Sequence, residues 1–331
     1  MVRKLLIFTL KVYRDVMSKM FLQRTIQREI HCRNIGLHSG RKVAMTIKPA
    51  DADAGITFVR NDVAGRPEIR ARYDGVSDTT LATTIGCNGT RISTIEHLMS
   101  ALFGMGVDNA VVEVDAPELP IMDGSALPFV DLLKSVGTRA QGRCKKILVV
   151  EKPVSVEDGY GSATFLPAPE FRITCEIDFD HPVIGHQTFS LTFSDDLYEK
   201  EICAARTFGF LKDVEYLQAS GLALGGSLKN AVVMDETRIL NKEGLRCPDE
   251  FVKHKILDAI GDLSLLGVPV IGHFVARKSG HRLNNLLLRE LMNRRDCWRI
   301  VTALGRQDTA TERTGLKPPA FSILDAVAVR A

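Results

Sequence analysis

Apolar and polar residues alternate along several short segments of this chain, a pattern typical of strands with one buried face. Three segments show it clearly: RKVAMTIKP with Val43, Met45 and Ile47, FRITCEIDF with Ile173, Cys175 and Ile177, and QTFSLTFS with Phe189, Leu191 and Phe193. We predict half-buried antiparallel strands at these positions.

Apolar residues recur with a helical period in three longer segments, STIEHLMSALFGMG, DEFVKHKILDAIGDLSLLG and RLNNLLLRELMNRRDCW. In the first of them, Ile95, Leu98, Met99 and Leu102 fall on one helical face. We predict a helix in each segment.

The predicted elements follow a similar order in both halves of the chain: several strands, a helix, a strand and another helix. Strands grouped before helices favour an α+β fold over a doubly wound parallel sheet. A polar, Gly-containing stretch at 137–146 predicts a break between the halves. We therefore expect an N-terminal extension (1–22), a first domain (23–140), a second domain (147–305) and a loosely ordered tail (306–331).

Composition and charge are those of a globular protein. The chain has 331 residues, 45% of them hydrophobic and 25% charged, and a length of this size suggests about two domains. The net charge of +3 is small for this length and argues against a nucleic-acid partner. No GxGxxG or GxxxxGK[ST] motif occurs, so those nucleotide-phosphate loops are excluded.

Cysteine usage and hydropathy bear on the compartment. The seven cysteines are scattered, with no CxxC pair, so we expect neither disulfides nor cysteine-ligated zinc, and we predict a reducing, cytoplasmic location. No apolar run reaches the roughly 20 residues that span a bilayer. The basic and apolar N-terminus is broken at Lys11 and lacks a small-residue cleavage site, so we interpret it as an extension and treat Met20 as a second candidate start.

The sequence HKILD places His254 and Asp258 four residues apart within a predicted helix. Side chains at this spacing share one helix face, where an imidazole and a carboxylate can reach one cation. Asp262 continues the same stripe one turn later. The alternative interpretation is a solvated face with an ordinary His–Asp pair.

Two further histidines occupy predicted helix starts. In STIEHL, Ser93 and Glu96 match a capping box, and His97 follows in the first turn, where the helix dipole favours a neutral imidazole. In KSGHRLNN, His281 follows a glycine at a helix start and could serve as an acid. For each feature alone, a capping or packing role is the open alternative.

Taken together, these residues predict a metal-dependent hydrolase. His97, His254 and Asp258 form a sufficient set of ligands for a catalytic zinc with a position left for water. Glu96 then lies next to a ligand as a candidate base, and His281 is a candidate acid. A His₂Asp ligand set suits iron as well as zinc.

Four long motifs resemble UDP-3-O-acyl-N-acetylglucosamine deacetylases, the family of the committed step of lipid A biosynthesis in Gram-negative bacteria. The motifs occur in the family's order, and the resemblance extends from about Gln23 to about Thr302. They are STIEHLMSALFGMGVDNAVVEVDAPELPIMDGSALPF, ARTFGFLKDVEYLQASGLALGGS, DEFVKHKILDAIGDL and KSGHRLNN.

The resemblance implies two domains, each a two-layer α/β sandwich, with the helical layers packed between the two sheets. It implies one catalytic zinc on His97, His254 and Asp258, Glu96 as general base and His281 as general acid or electrostatic partner. Asp262 would orient His281, and Thr207 would hydrogen-bond the acetyl oxygen.

The resemblance also implies residues that bind the substrate, a lipid carrying a nucleotide sugar. Lys255 and Lys278 would contact its anionic part. An apolar passage for the acyl chain would involve Phe208, Phe210, Val214, Leu222 and Ala223, and further pocket positions would be Leu37, His38 and Phe179. We expect a monomer.

Two other functions stay open on the sequence. A zinc amidohydrolase acting on another N-acyl amino sugar would have the same ligands but no need of the apolar stretch around 208–224. A non-enzymatic module that binds a metal or a nucleotide sugar would have no use for Glu96 and His281 as base and acid.

Overall fold

The computed structural model describes residues 21–302. The predictions for residues 1–20, for Met20 as a start and for the tail at 306–331 lie outside the described residues. The last two residues of the predicted extension belong to the fold, since Phe21 packs with Ile147 and Leu22 begins the first strand.

Between residues 21 and 145 the structure has ten strands and two helices. The strands are β1 (Leu22–Ile26), β2 (Ile30–Ile35), β3 (Lys42–Pro49), β4 (Ile56–Arg60), β5 (Glu68–Arg70), β6 (Val76–Asp78), β7 (Thr84–Cys87), β8 (Thr90–Ile92), β9 (Ala110–Val114) and β10 (Thr138–Cys144). The helices are α1 (Glu96–Gly104) and α2 (Leu127–Val136), with a 3₁₀ turn at Tyr73–Gly75.

The second half contains nine strands and four helices within the described range. The strands are β11 (Lys146–Val150), β12 (Val154–Glu157), β13 (Ser162–Leu166), β14 (Phe171–Phe179), β15 (Gly185–Thr192), β16 (Phe208–Phe210), β17 (Val232–Met234), β18 (Val270–Arg277) and β19 (Trp298–Thr302). The helices are α3 (Asp195–Leu197), which continues as a π turn at Tyr198–Ile202, α4 (Leu211–Ala219), α5 (Glu250–Ser264) and α6 (His281–Asn293), with a 3₁₀ turn at Arg295–Cys297.

The strands of residues 21–302 form five sheets, and the expected α+β fold is confirmed. The larger sheet of the first half has the order β2-β3-β9-β4-β5, and β1-β10 and β6-β7-β8 form two small sheets. In the second half β12-β13-β18-β11-β19 form a sheet that β14 and β15 extend from β18, and β16 pairs with β17. Among the described residues, every sheet takes its strands from one side of residue 145 only.

The predicted recurrence of strands, helix, strand and helix is present in both halves. β9 lies between α1 and α2 in the chain, and β18 lies between α5 and α6. Each of these strands is inserted into its sheet, antiparallel to one neighbour (β3 or β13) and parallel to another (β4 or β14). The three strands predicted from alternation are confirmed as β3, β14 and β15, with Phe193 immediately after the last of them.

The polar stretch taken as the break between the halves is not a loop. Residues Thr138–Cys144 form β10, which pairs antiparallel with β1 and brings Leu22 opposite Cys144. Its polar sequence is compatible with a strand because every residue of β10 is exposed or half-buried, although its partner β1 is largely buried. Backbone pairing with a segment over a hundred residues away is invisible to a local pattern.

The two halves meet where α1 packs against α5. A Cβ atom at Gly261 of α5 would lie 2.1 Å from the carbonyl oxygen of Glu96 in α1, so only glycine permits this approach. α5 also packs against β14 and β15, and α6 packs against β12 and β13. The contact at Gly261 therefore fixes how close the polar stripe of α5 lies to the first turn of α1.

Within residues 21–302, no helix is both long enough and apolar enough to cross a bilayer.

Candidate metal and active site

Three buried side chains from α1 and α5 converge on one point. Ligand-type atoms of His97, His254 and Asp258 all lie within 4.8 Å of one another. Nε2 of His97 is 3.5 Å from Oδ1 of Asp258, and Nε2 of His254 is 3.3 Å from the same oxygen. The imidazole rings meet edge to face, with their centroids 5.1 Å apart. A single cation requires its ligand atoms to converge this closely.

The hydrogen bonds of these three side chains leave atoms available to bind a metal ion. Nδ1 of His254 is 3.0 Å from the carbonyl oxygen of Ala205, which leaves Nε2 free to ligate. Nδ1 of His97 and Oδ1 of Asp258 are buried without a hydrogen-bond partner among the described residues. A buried carboxylate oxygen without a donor is costly, and a cation at the convergence point would satisfy it.

The electrostatics of the cluster favour the ligating forms. Burial lowers the pKa of His254 to about 4, against the opposing charge of Asp258, so this imidazole is neutral at physiological pH. Burial alone would raise the pKa of Asp258, but His254 and Lys255 hold it well below its usual range. A neutral imidazole and an ionised carboxylate are the forms that bind divalent cations.

Glu96 and His281 flank the cluster. Glu96, at the first position of α1, is buried, and its Oε1 lies 3.9 Å from Nε2 of His281, the first residue of α6. Burial raises the pKa of Glu96, although His281 and His97 oppose the effect. A carboxylate of raised pKa next to an imidazole is a suitable pair for accepting and donating protons.

Asp262 holds His281 in position. Its Oδ2 lies 2.9 Å from Nδ1 of His281 and accepts a second hydrogen bond, also 2.9 Å long, from the Asn284 side chain. Burial lowers the pKa of His281, but the charges of Asp262, Glu96 and Asp258 outweigh it and raise the pKa to about 9. His281 is therefore an imidazolium at neutral pH, with Nε2 directed to the side of Glu96.

The predicted capping box does not form. Helix α1 begins at Glu96 itself, and no side chain caps it. The Glu96 carboxylate accepts a hydrogen bond from the backbone N–H of Thr83 at 3.0 Å, and Ser93 Oγ accepts one from Thr84 at 3.0 Å. Thr94, with φ 58°, separates Ser93 from the helix and prevents the reciprocal pairing. Glu96 is thus directed into the site by a tertiary contact.

Three predicted pocket residues form an aromatic cluster beside the metal cluster. The centroid of the Phe179 ring is 5.8 Å from that of Phe208 and 6.1 Å from that of Phe210. Phe208 in turn lies 6.2 Å from His254, edge on. Thr207 lies between Phe208 and Arg206, and its backbone N–H donates to Gly124.

The other predicted apolar residues lie around α4 and the loop that follows β2. Val214 is half-buried in α4, near Gly209, whereas Leu222 is 37% exposed and Ala223 is buried. The loop that carries Leu37 and His38 pairs with the segment after Ala223, since Leu224 donates to His38 and Gly225 to Leu37 through backbone groups. Both ring nitrogens of His38 are buried without a partner among residues 21–302.

The two predicted lysines are in different settings. Nζ of Lys255 is 3.1 Å from Oδ2 of Asp258, on the side away from the convergence point, and 5.7 Å from the centre of the Phe208 ring. Lys278 is at the surface, where its Nζ is 2.6 Å from Asp178. The structure thus brings Lys255 to the His97–His254–Asp258 cluster, whereas Lys278 pairs with Asp178 at the surface, three residues before His281 in the chain.

Several groups around the site escaped the sequence analysis. The carbonyl of Ala205 contacts His254, the N–H and hydroxyl of Thr83 contact Glu96 and Asp262, and the amide of Asn284 contacts Asp262. Asn284 lies in the KSGHRLNN motif and Ala205 begins the ARTFGF motif, so only Thr83 lies outside the motifs of the sequence analysis. The contacts of Ala205 and Thr83 depend on chain segments remote from α5.

An α+β fold with a possible His–His–Asp metal site beside a buried carboxylate and a third histidine has the features of a metal-dependent hydrolase. The sequence profile of one such family, LpxC, described as UDP-3-O-acyl N-acetylglycosamine deacetylase, matches residues 23–293. The chain belongs to this family.

Curated relatives agree with this membership. The chain is 60% identical to the UDP-3-O-acyl-N-acetylglucosamine deacetylase of Syntrophus aciditrophicus over 92% of this chain and 96% of the relative. It is 55% identical to the enzyme of that name from Myxococcus xanthus over 86% of this chain and 91% of the relative. For the Anaeromyxobacter enzyme of that name the identity is 48%, over 92% and 98%.

Proposed function

We propose that this protein hydrolyses the N-acetyl group of a UDP-3-O-acyl-N-acetylglucosamine, giving the free amine and acetate, the committed step of lipid A biosynthesis. The observation that carries the proposal is the convergence of His97, His254 and Asp258 between Glu96 and His281, in a chain of the deacetylase family. We propose zinc as the ion, with iron as the alternative that the same ligands accept.

The bound cation would supply Lewis acidity, which activates water and polarises a carbonyl at neutral pH. Glu96 would accept a proton from the attacking water, because its Oε1 faces the site while Thr83 holds its other oxygen. His281 would donate a proton to the amide nitrogen as the C–N bond breaks. Asp262 would keep the ring of His281 in the required orientation.

Thr207 would donate a hydrogen bond to the oxygen that becomes negatively charged during attack, a contribution of roughly 3–4 kcal/mol for a well-aimed donor. The proposal is supported by the position of Thr207 in the chain, between the carbonyl of Ala205, which contacts His254, and the ring of Phe208. The expected attack is addition of water to the carbonyl carbon, followed by release of acetate.

The acyl chain would lie along the aromatic cluster of Phe179, Phe208 and Phe210 and then along Val214, Leu222 and Ala223. Leu37 and His38 would line the same pocket, since their loop pairs with the segment after Ala223. Lys255 and Lys278 would contact the anionic part of the substrate. Lys255 is paired with Asp258 and Lys278 with Asp178, so each would have to exchange or share its carboxylate partner.

We also propose that residues 23–140 and 147–305 are two domains, which the separation of the sheets near residue 145 supports.

The seven cysteines are scattered, and those of residues 21–302 are free, in keeping with a cytoplasmic enzyme. We propose a monomer, and the mass of the purified protein in solution tests this.

The decisive experiment compares substrates. Purified protein, loaded with one zinc ion per chain, should release acetate from UDP-3-O-acyl-N-acetylglucosamine far faster than from UDP-N-acetylglucosamine. Equal turnover of both would favour an amidohydrolase of another N-acyl amino sugar, because the apolar residues would then serve no purpose. No acetate from either substrate would favour a binding module and overturn the proposal.

A further inference from the structure

Thr83, which belongs to no recognised motif, contacts the carboxylates on both sides of the site. Its backbone N–H donates to Oε2 of Glu96 at 3.0 Å, and its hydroxyl donates to Oδ1 of Asp262 at 2.5 Å. The residue is only 2% exposed, and Glu96 and Asp262 are buried as well. Both hydrogen bonds have charged acceptors away from water, where such bonds are strongest.

The backbone of Thr83 ties the same residue to the fold. Its carbonyl accepts a hydrogen bond from the N–H of Ile95 at 3.3 Å, immediately before α1 begins. Strand β7, which starts at the next residue, is held between β6 and β8. Three polar groups of one residue therefore connect β7, the first turn of α1 and the C-terminal end of α5.

This arrangement decides which oxygens remain for chemistry. Thr83 occupies Oε2 of Glu96, and Oε1 is then the oxygen that faces Nε2 of His281 at 3.9 Å. Thr83 also occupies Oδ1 of Asp262, and Oδ2 is then the oxygen that contacts Nδ1 of His281 at 2.9 Å. The proton acceptor and the proton donor are thus oriented through one shared residue.

We propose that Thr83 is a positioning residue for the deacetylation, and that its hydroxyl and N–H together set the orientation of Glu96 relative to His281. The expected change in kcat rests on the proposed function, whereas the expected change in the orientation of Glu96 and His281 does not. A residue that merely packed at the junction of α1 and α5 would need the shape of threonine but not its hydroxyl.

Two matched pairs of variants separate these roles. Thr83→Val keeps the shape and the N–H and removes the hydroxyl, whereas Thr83→Ser keeps the hydroxyl and removes the methyl group. Thr83→Ala and Thr83→Ser differ in the hydroxyl alone, and they give the same comparison if the valine variant does not fold. Zinc content and the midpoint of denaturant unfolding are measured for each variant.

For Thr83→Val we expect kcat to fall roughly 10- to 100-fold, as for a reacting group displaced by a fraction of an ångström to about 1 Å. KM and zinc content should stay within about two-fold, and Thr83→Ser should retain most of the kcat. A valine variant with unchanged kcat, or a serine variant as impaired as valine or alanine, would overturn the inference.

A second measurement does not depend on activity. In metal-free protein with ¹⁵N-labelled histidine, the ring resonances of His281 report its titration. Loss of the Thr83 hydroxyl should shift this titration relative to wild type, whereas Thr83→Ser should leave it nearly unchanged. Identical titrations in all variants would refute the coupling. If the wild-type protein releases no acetate, the proposed function fails, but this test of Thr83 still stands.

Discussion

Nδ1 of His281 and Oδ2 of Asp262 lie 2.9 Å apart, although His281 begins α6 and Asp262 lies near the end of α5. The contact fixes the ring so that its other nitrogen is directed to the side of Glu96. It also adds a negative charge beside a buried imidazole. The expected chemistry of the site depends on this pairing as much as on the proposed metal ligands.

The pH dependence of activity should reflect this pairing. Burial lowers the pKa of His281, but Asp262 and neighbouring carboxylates raise it to about 9, so the protonated form is lost as the pH rises through that value. We expect kcat/KM to fall above about pH 9, and Asp262→Asn to move this limb to lower pH. Profiles of both proteins between about pH 6 and 10 test the prediction, and coinciding alkaline limbs would contradict it.

The same shift predicts how folding stability changes with pH. The folded pKa of His281 lies above the ordinary value of about 6.5, so its contribution is complete below that pH and disappears as the pH rises through about 9. Asp262→Asn should reduce this part of the pH dependence of the unfolding free energy. Denaturant unfolding of metal-free protein at several pH values provides the measurement.

Removal of the metal should abolish activity and lower the melting temperature. A ligand that binds only the folded state stabilises it by an amount that grows with the logarithm of the free ligand concentration relative to its Kd, so chelation withdraws that stabilisation. We expect one zinc ion per chain by elemental analysis, and activity restored when zinc is added back. Asp258→Ala should lose the ion, whereas His31→Ala, an exposed histidine, should retain it.

The substitution Glu96→Gln should reduce kcat by roughly 100-fold or more, because an amide cannot accept the proton of the attacking water. The amide keeps the size of the side chain, so zinc content should stay at the wild-type level. Glu29→Gln, at a largely exposed glutamate, is the matched control. A Glu96→Gln variant with nearly full kcat and intact metal would remove Glu96 from the mechanism.

At the crossing of α1 and α5, Gly261→Ala should be destabilising. The added Cβ would lie 2.1 Å from the carbonyl oxygen of Glu96, and relief of such overpacking costs typically about 1–3 kcal/mol. Because the shift separates the helices that carry the proposed metal ligands, zinc affinity should fall as well. Gly75→Ala, where the nearest atom lies at 3.6 Å, should change neither quantity appreciably. Unfolding curves and metal titrations of both variants decide the matter.

A buried ion pair behind the site should be equally important for stability. Glu250, fully buried, accepts hydrogen bonds from the backbone and the guanidinium of Arg206, next to the carbonyl of Ala205 that contacts His254. Breaking a buried pair typically costs about 3–5 kcal/mol, so Glu250→Gln should destabilise the protein strongly and weaken metal binding.

The control for that prediction is Glu151→Gln, which breaks an exposed pair with Arg299. Exposed pairs contribute about 0–1 kcal/mol, so its unfolding free energy should hardly change. Equal effects of the two substitutions would mean that burial of Glu250 has no special consequence.

The sequence by itself determined the strands that alternate, the helices that carry the chemistry and the spacing of His254 and Asp258. These features are local, since alternation and helical periodicity describe how neighbouring residues share a face. Family motifs extended this information to His97 and His281, which no local rule connects with α5.

Only the tertiary structure decided where Glu96 and Asp262 direct their oxygens. The capping box was predicted from Ser93 and Glu96 and is absent, because Thr83, from another segment, binds the Glu96 carboxylate. The polar stretch at 137–146 is strand β10 because a strand at the opposite end of the first half pairs with it. Contacts between segments far apart in the chain depend on the packing of the whole fold, as at Gly261, and a local pattern does not encode them.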